Sequence, residues 1–279
     1  MSAISGTRSV LITGCSSGIG LCTARGLAAR GYRVFATARQ PQDVDKLNGM
    51  GLESLLLDLD DSDSIRACVN EILERSGNEL YALFNNGAYG QSGAVEDLRR
   101  DVLRAQFETN VFGWLELTNL VIPVMRKQGY GRIIQNSSIL GFMALPLRGA
   151  YNASKFAIEG LSDTLRQELH GSNIHVSLIE PGPIRSRFRA NAVKHFLENI
   201  DIEASPFREQ YQKTLQRLQT RGAVIPFTLP PEAVLKKVIH ALESRRPKPR
   251  YYVTFPTYLF GTLRRFLSTR AMDWLQRKI

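Results

Sequence analysis

Short apolar runs alternate with helix-length amphipathic segments over the first two thirds of the chain. Ser9-Val10-Leu11-Ile12 is the first run; a glycine-rich turn follows, then a helical pattern over about residues 19–30 that Gly31 ends. Runs at 32–36, 54–57 and 80–84 predict three more strands, with a helix across 62–75 between the last two. A helical stretch over about 99–128 is expected to break near Asn110. Ile133-Ile134 marks a fifth strand, 151–170 a helix and 174–179 a sixth strand. Near-continuous apolar strands alternating with helices predict an α/β fold: a doubly wound parallel sheet covered on both faces.

After Pro181 the alternation stops. Residues 184–230 scatter Phe188, Phe196, Phe207, Tyr211 and Phe227 among charges and are expected to form helices over an opening, a lid. A helix over 231–242, an extended piece over 250–255 and a basic amphipathic segment over 256–279 complete the chain. With no internal repeat, low-complexity tract or linker, residues 1–279 are expected to form one domain.

Composition adds limits. At 43% hydrophobic and 22% charged residues the chain reads as an ordinary globular protein. No apolar run precedes Val10 to act as a signal peptide, and none reaches the roughly 18 residues a spanning helix needs. The most apolar stretch, 111–125, contains Glu116 and Asn119 and is expected to be a buried helix. Cys15, Cys22 and Cys68 have no metal-ligand spacing, so reduced thiols in a cytoplasmic protein are expected, with no metal. Cys15 lies within the glycine-rich turn, either as a small side chain or as a reactive thiol.

The net charge of +10 is uneven: from residue 236 onward 11 Lys and Arg face only Glu243 and Asp273. Such a tail suits an anionic partner (a membrane surface or an acidic protein), or is a solvated basic face. Its basic residues follow no nucleic-acid-binding motif, so no nucleic acid is expected.

Thr13-Gly14-Cys15-Ser16-Ser17-Gly18-Ile19-Gly20 joins the first strand to the first helix. Glycines there allow tight turns and close approach of a pyrophosphate to the positive helix N-terminus; the alternative is a plain strand-to-helix turn. The second strand leads into Arg39, and no Asp or Glu occurs between Gly20 and Pro41. A carboxylate at this point would bind the ribose 2′-OH of NAD, whereas a guanidinium suits a 2′-phosphate, so NADP(H) is expected. Arg39 could instead simply be exposed at a strand end.

Tyr151 and Lys155 lie four apart, one turn along the same helical face, with Ser138 13 positions upstream of the tyrosine. A phenol titrates near 10, about three units above neutrality, and a neighbouring cation favours phenolate. The pattern points to proton transfer in a carbonyl/alcohol oxidoreductase.

Taken in order, Thr13-Gly14-x3-Gly18-Ile19-Gly20, Asp58, Asn85-Asn86-Gly87, Asn110, Ser138, Tyr151, Lys155 and Pro181-Gly182 resemble the short-chain dehydrogenase/reductase family across nearly the whole chain. The turn and the strand end Ala36-Thr37-Ala38-Arg39 look most like bacterial NADP-dependent aldehyde reductases and animal 17β-hydroxysteroid and retinol dehydrogenases. The resemblance implies a Rossmann fold with Gly14, Ser16, Ser17, Gly18, Ile19 and Gly20 around the coenzyme. Tyr151 would be the general acid, Lys155 would bind the ribose and lower the phenol's pKa, and Ser138 would hold the reacting oxygen. Asn110 would hold a water linking Lys155 to solvent. Asp58 and Leu59 would contact adenine, Asn85 and Gly87 the adjoining ribose and sheet, and Pro181, Gly182 and Ile184 the nicotinamide amide. The family's Asn-Asn-Ala-Gly is here Asn85-Asn86-Gly87-Ala88, which puts a positive φ at position 88 in question.

Between Ser138 and Tyr151 run Ile139, Leu140, Phe142, Met143, Ala144, Leu145 and Leu147. They predict an apolar cleft for hydrophobic aldehydes or ketones, or else pack against each other or a partner subunit. Two further functions stay open: reduction of 3-oxoacyl chains on an acidic carrier, and a non-catalytic NADP(H)-binding regulator, against which the intact Asn110, Ser138, Tyr151 and Lys155 argue. The resemblance also implies a dimer or tetramer paired through the helices around 111–125 and 151–170. The basic tail is expected to close the pocket or core, or to lie on an anionic bilayer.

Overall fold

The computed structural model describes residues 8–219 and 226–278; residues 1–7, residues 220–225 of the expected lid, and Ile279 lie outside the described residues. Its centre is a parallel sheet in the order β3-β2-β1-β4-β5-β6-β7. The strands are β1 (Ser9–Ile12), β2 (Arg33–Ala38), β3 (Glu53–Leu56), β4 (Ala82–Asn85), β5 (Gly131–Asn136), β6 (Ile174–Glu180) and β7 (Arg250–Tyr252). From β1 the chain runs outward through β2 and β3, then returns to β4 on the other side of β1. A crevice therefore opens where the β1 and β4 connections diverge, at the strands' carboxyl ends.

Helices cover both faces: α1 (Gly18–Ala28), α2 (Pro41–Gly49), α3 (Ser62–Ser76), α4 (Arg100–Phe107), α5 (Gly113–Gln128), α6 (Gly149–Glu168) and, after the lid, α9 (Glu232–Glu243). The strands' period of two builds two cores. Leu11, Leu83 and Ile133 face Trp114 and Leu117 of α5 and Ile158 of α6. Val10, Ile12, Phe84 and Ile134 face Leu27 of α1 and Val238 and Leu242 of α9. The sequence pattern misses α2, which Pro41 starts and which buries only Leu47. Helix α5 is not buried all round, since Phe112 just before it and Leu115 within it are exposed.

The expected break at Asn110 is a π-helical turn, Glu108–Phe112, between α4 and α5. The lid carries α7 (Phe188–Asn199) and α8 (Arg208–Gln219) around a small core of Phe196, Ile200 and Tyr211 against Ala94. Its two ends pair, with Arg185 N donating to Leu229 O at 2.9 Å and Leu229 N to Pro183 O at 3.1 Å. The extended piece expected over 250–255 ends at Tyr252, and the basic tail forms two helices, α10 (Phe255–Leu263) and α11 (Thr269–Gln276). They fold back, burying Phe260 and Met272 against Phe142 and Met143. No helix among the described residues is long and apolar enough to cross a membrane.

Candidate active site

At the carboxyl end of β1 the chain turns through Gly14, at φ +69°, where an added Cβ would lie 2.6 Å from Gly87 Cα. Thr13 Oγ1 accepts from the backbone N–H groups of Asn86 and Gly87, both at 2.8 Å. The Asn86 amide donates to the carbonyls of Thr13 (2.9 Å) and Gly14 (3.2 Å), and its Oδ1 accepts from Asn136 at 2.9 Å. Cys15 is enclosed and burial pushes its thiol up to about 12, so it is a structural side chain and not a reactive thiolate.

Helix α1 begins with a free N-terminus: Ser17 provides no side-chain cap and the first turn holds no acid. Its N–H groups and positive dipole end are open to an anion. Ile19 packs into the core below, Gly20 would clash with Gly14 O at 2.2 Å if it had a Cβ, and Ser16 is exposed. Gly18, at φ +57°, meets the lid, its would-be Cβ lying 2.9 Å from Ser186 Cβ. A cavity of about 770 Å³ opens beside the turn, lined by Ser17, Gly18, Arg25, Arg185 and Arg187 among others. Open N–H groups and backbone-close glycines fit the phosphates of a dinucleotide; the cavity beside them is of mixed charge, since Glu232 lines it too.

Arg39 follows β2 directly and is exposed; its charge bears on Asp60, Tyr89 and His195, so it faces the mouth between the sheet and lid helix α7. Asp58 is half-buried and accepts from Asp60 N at 3.1 Å, and Leu59 packs over Gly87.

On the opposite side of the crevice, α6 buries Tyr151 and Lys155 one turn apart. Burial pushes the Tyr151 phenol above its ordinary range, against the hydrogen bond of Ser138. Ser138 ends the loop after β5, extended at φ −166°, and its Oγ also accepts from Leu140 N at 3.1 Å. Burial brings the Lys155 ammonium down to about 7, opposed by Glu159. Lys155 Nζ donates to Asn136 O at 2.8 Å and sits 4.2 Å from the centre of the Trp114 ring, a cation–π arrangement. Trp114 Nε1 in turn donates to Gly87 O at 2.7 Å. Lid residue Phe188 lies edge-on to Tyr151, ring centres 5.2 Å apart.

A family model for short chain dehydrogenases matches residues 8–196. The chain belongs to the short-chain dehydrogenase family. It is 43% identical to an uncharacterized oxidoreductase, YbbO, of Escherichia coli strain K12, over 95% of this chain and 93% of that protein. To human 17-beta-hydroxysteroid dehydrogenase type 1 the identity is 33%, over 88% of this chain and 77% of the relative. A solved short-chain dehydrogenase from Streptomyces avermitilis shares 27% identity at a TM-score of 0.77, covering 99% of this chain and 98% of that structure.

In this short-chain dehydrogenase the fold brings Ser138, Tyr151 and Lys155 to one end of the sheet. Asn110 stands behind them as a strut: its amide donates to Tyr89 O (2.9 Å) and Ser154 Oγ (3.1 Å), and its Oδ1 accepts from Tyr89 N (3.1 Å). Both amide hydrogens and one lone pair of its oxygen are thus used by protein groups. Pro181 joins the site through Ile139 N, which donates to its carbonyl at 2.8 Å. Gly182 leaves room for Thr254 Oγ1, 2.2 Å from its would-be Cβ, and Ile184 bridges to Leu229 at the lid hinge.

Asn85 goes elsewhere than expected, donating to Thr118 Oγ1 of α5 at 3.0 Å behind the sheet, while Asn86 joins the glycine turn. Ala88 is not among the residues with positive φ, so the exchanged Gly87-Ala88 carries no backbone strain. Phe142 and Met143 pack under the tail and not toward a cleft. The sequence names Thr13 and Asn86 only as motif residues, with no role, and gives no sign of Ser186. Trp114 had a signal, being one helical turn beyond Asn110 on the same face.

Proposed function

We propose that this oxidoreductase reduces hydrophobic aldehydes or ketones with NADPH: medium-to-long aliphatic aldehydes, or retinal-like or steroid-like carbonyls. One observation carries the reading: a buried phenol held by Ser138, with a buried amine one turn away, beside an open helix N-terminus suited to phosphates. The bound nicotinamide supplies the hydride. Tyr151 gives its proton to the carbonyl oxygen, and Ser138 donates a hydrogen bond to the same atom. The phenolate left behind is costly in a buried setting, so the Lys155 ammonium stabilises it while also binding the ribose hydroxyls. A lysine near 7 can return a proton to the phenol at working pH.

Arg39 supports the choice of NADPH, since it is exposed at the coenzyme's adenosine end with no acid beside it in β2. Phe188 against Tyr151, with the aromatic lid behind it, supports an apolar substrate. An NADPH-consumption assay over aldehydes and ketones tests the reading. Long aliphatic or polycyclic carbonyls are expected to react and short charged ketoacids to fail. Tyr151→Phe, which keeps the ring and loses the proton, is expected to lower kcat by about 100-fold or more. Wild-type turnover in that variant, or activity confined to charged ketoacids, overturns the proposal.

Two surfaces support partners. Phe112, Leu115, Phe156 and Leu161 are exposed around α5 and α6 and suit a homo-oligomer, whose mass light scattering would report. The turn between α10 and α11 exposes Phe266 and Leu267 between Arg264, Arg265 and Arg270, which suits an anionic bilayer. Three free thiols support a cytoplasmic site of action.

A further inference from the structure

Beneath the phenol, α6 continues its row of ionisable side chains by one more turn, to Glu159. Glu159 is buried, with the loop of the reacting groups lying directly on it: a Cβ on Gly141 would come 2.5 Å from Ser137 Oγ and 2.9 Å from Glu159 Oε1. Facing it is Glu180, the last residue of β6 and fully enclosed. One guanidinium, Arg250 of β7, grips both carboxylates, bonding Glu159 Oε2, Glu180 Oε1 (2.7 Å) and also Asp163 Oδ2 (2.6 Å). The groups facing Glu159 are thus Lys155 and Asp163 on its own helix, Ser137 after β5, Glu180 on β6, and Arg250 and Tyr252 on β7.

The second oxygens, Glu159 Oε1 and Glu180 Oε2, are buried, with the Ser137 hydroxyl and each other as their hydrogen-bonding neighbours. Two buried anions around one guanidinium are too many charges for the site, and the pair keeps one proton between them. Burial raises both carboxyls and Arg250 pulls both back, leaving Glu180 at about 8 and so the member inclined to hold the proton.

We propose that Glu159 is a positioning residue, the counter-ion that keeps Lys155 an ammonium, and that Glu180 is held protonated so that one negative charge faces the lysine from behind. Burial alone drives Lys155 toward the free amine, and Glu159 is the charge opposing that drift. The inference rests on the reading of Lys155 as the residue that binds the coenzyme ribose.

The test reads coenzyme binding and not turnover: the Kd for NADPH, from the fluorescence of the bound dinucleotide, is measured against pH with no carbonyl present. Binding weakens as Lys155 loses its proton, so the profile has an alkaline limb. Glu159→Gln keeps the shape and removes the charge; the limb is expected to move to lower pH by roughly one unit, a loss of about tenfold in affinity above it. Glu159→Asp, which restores the charge, is expected to bring the limb back toward wild type. Glu180→Gln resembles the protonated acid and is expected to move the limb less than Glu159→Gln does. An unmoved limb in Glu159→Gln, or a downward shift of about one unit in Glu180→Gln, overturns the proposal; the second arm keeps it refutable if Glu159→Gln does not fold. Wild-type protein that binds NADPH but reduces no carbonyl would sink the functional reading and leave this experiment informative.

Discussion

Gly14→Ala separates two reasons for a glycine at the coenzyme turn. The residue sits at φ +69°, a conformation that costs alanine about 1 kcal/mol. Its methyl would also stand 2.6 Å from Gly87 Cα and 3.0 Å from Gly87 N, and neither backbone atom can swing aside as a side chain would. Overpacking of that kind costs about 1–3 kcal/mol, for a total of about 2–4 kcal/mol. Gly129 supplies the control: it has φ +81° at the end of α5, with nothing within 4 Å of an added Cβ. Gly129→Ala should therefore lose only the φ contribution, about 1 kcal/mol. In thermal unfolding of the two variants, Gly14→Ala is expected to lower Tm by about 4–8 °C and Gly129→Ala by about 2 °C. NADPH affinity should fall in the first variant only, because Gly87 and the Thr13 hydrogen bonds move with the turn. Equal Tm losses would mean that Gly14 serves φ alone and that the contact with Gly87 is not what the turn requires.

Arg39→Ala is expected to reduce kcat/KM for NADPH by about tenfold to a hundredfold, the worth of charge-assisted hydrogen bonds to a phosphate, and to leave NADH unchanged; a wild-type preference for NADH ends the assignment. Wild-type protein is expected to co-sediment with anionic vesicles at low salt and to release as salt rises. Phe266→Asp should reduce that binding severalfold, and absence of wild-type binding at low salt removes the bilayer as a partner.

Much of the sheet could be read from the chain because each of its first six strands carries a short apolar run, a signal that survives imprecise boundaries. The break near Asn110 was legible for a different reason, the run of weak helix formers Thr109-Asn110-Val111-Phe112-Gly113 inside a helical stretch. Helix α2 was not, since a helix burying one leucine leaves almost no periodic signal. The Asn85–Asn86 pair shows how local the missing information was. Alternation along β4 puts Asn85 on the face of Leu83, toward α5, and turns Asn86 with Phe84 to the face of the glycine turn. Strand period alone would have assigned the two amides correctly, had it been carried one residue past the strand end. The tail reads as one amphipathic stretch, yet Ser268 caps a separate helix by accepting from Ala271 N. What no pattern in the chain reveals is the long-range partner of each buried charge, because Arg250 lies 91 residues from Glu159 and 70 from Glu180.

Those partners tie the C-terminal segment to the candidate active site. Arg250 bonds the two glutamates behind Lys155, Thr254 and Thr257 occupy the space that Gly182 leaves open, and Phe260 and Met272 bury the loop running from Ser138 toward Tyr151. Phe260 and Met272 belong to the inward face of the tail, whereas Phe266 and Trp274 point outward into solvent. Deleting the tail after Phe255 would strip Phe142 and Met143 of their cover, exposing apolar area worth about 1.5–3 kcal/mol for each such side chain. Loss of vesicle binding in such a truncation would then be inseparable from loss of the catalytic loop's order. Outward point substitutions avoid that confusion, because they change the face a bilayer would meet and leave the inward packing intact. If an outward variant also lost NADPH affinity, the two faces would be coupled, with the tail transmitting surface contact to the coenzyme site through Thr254 and Gly182.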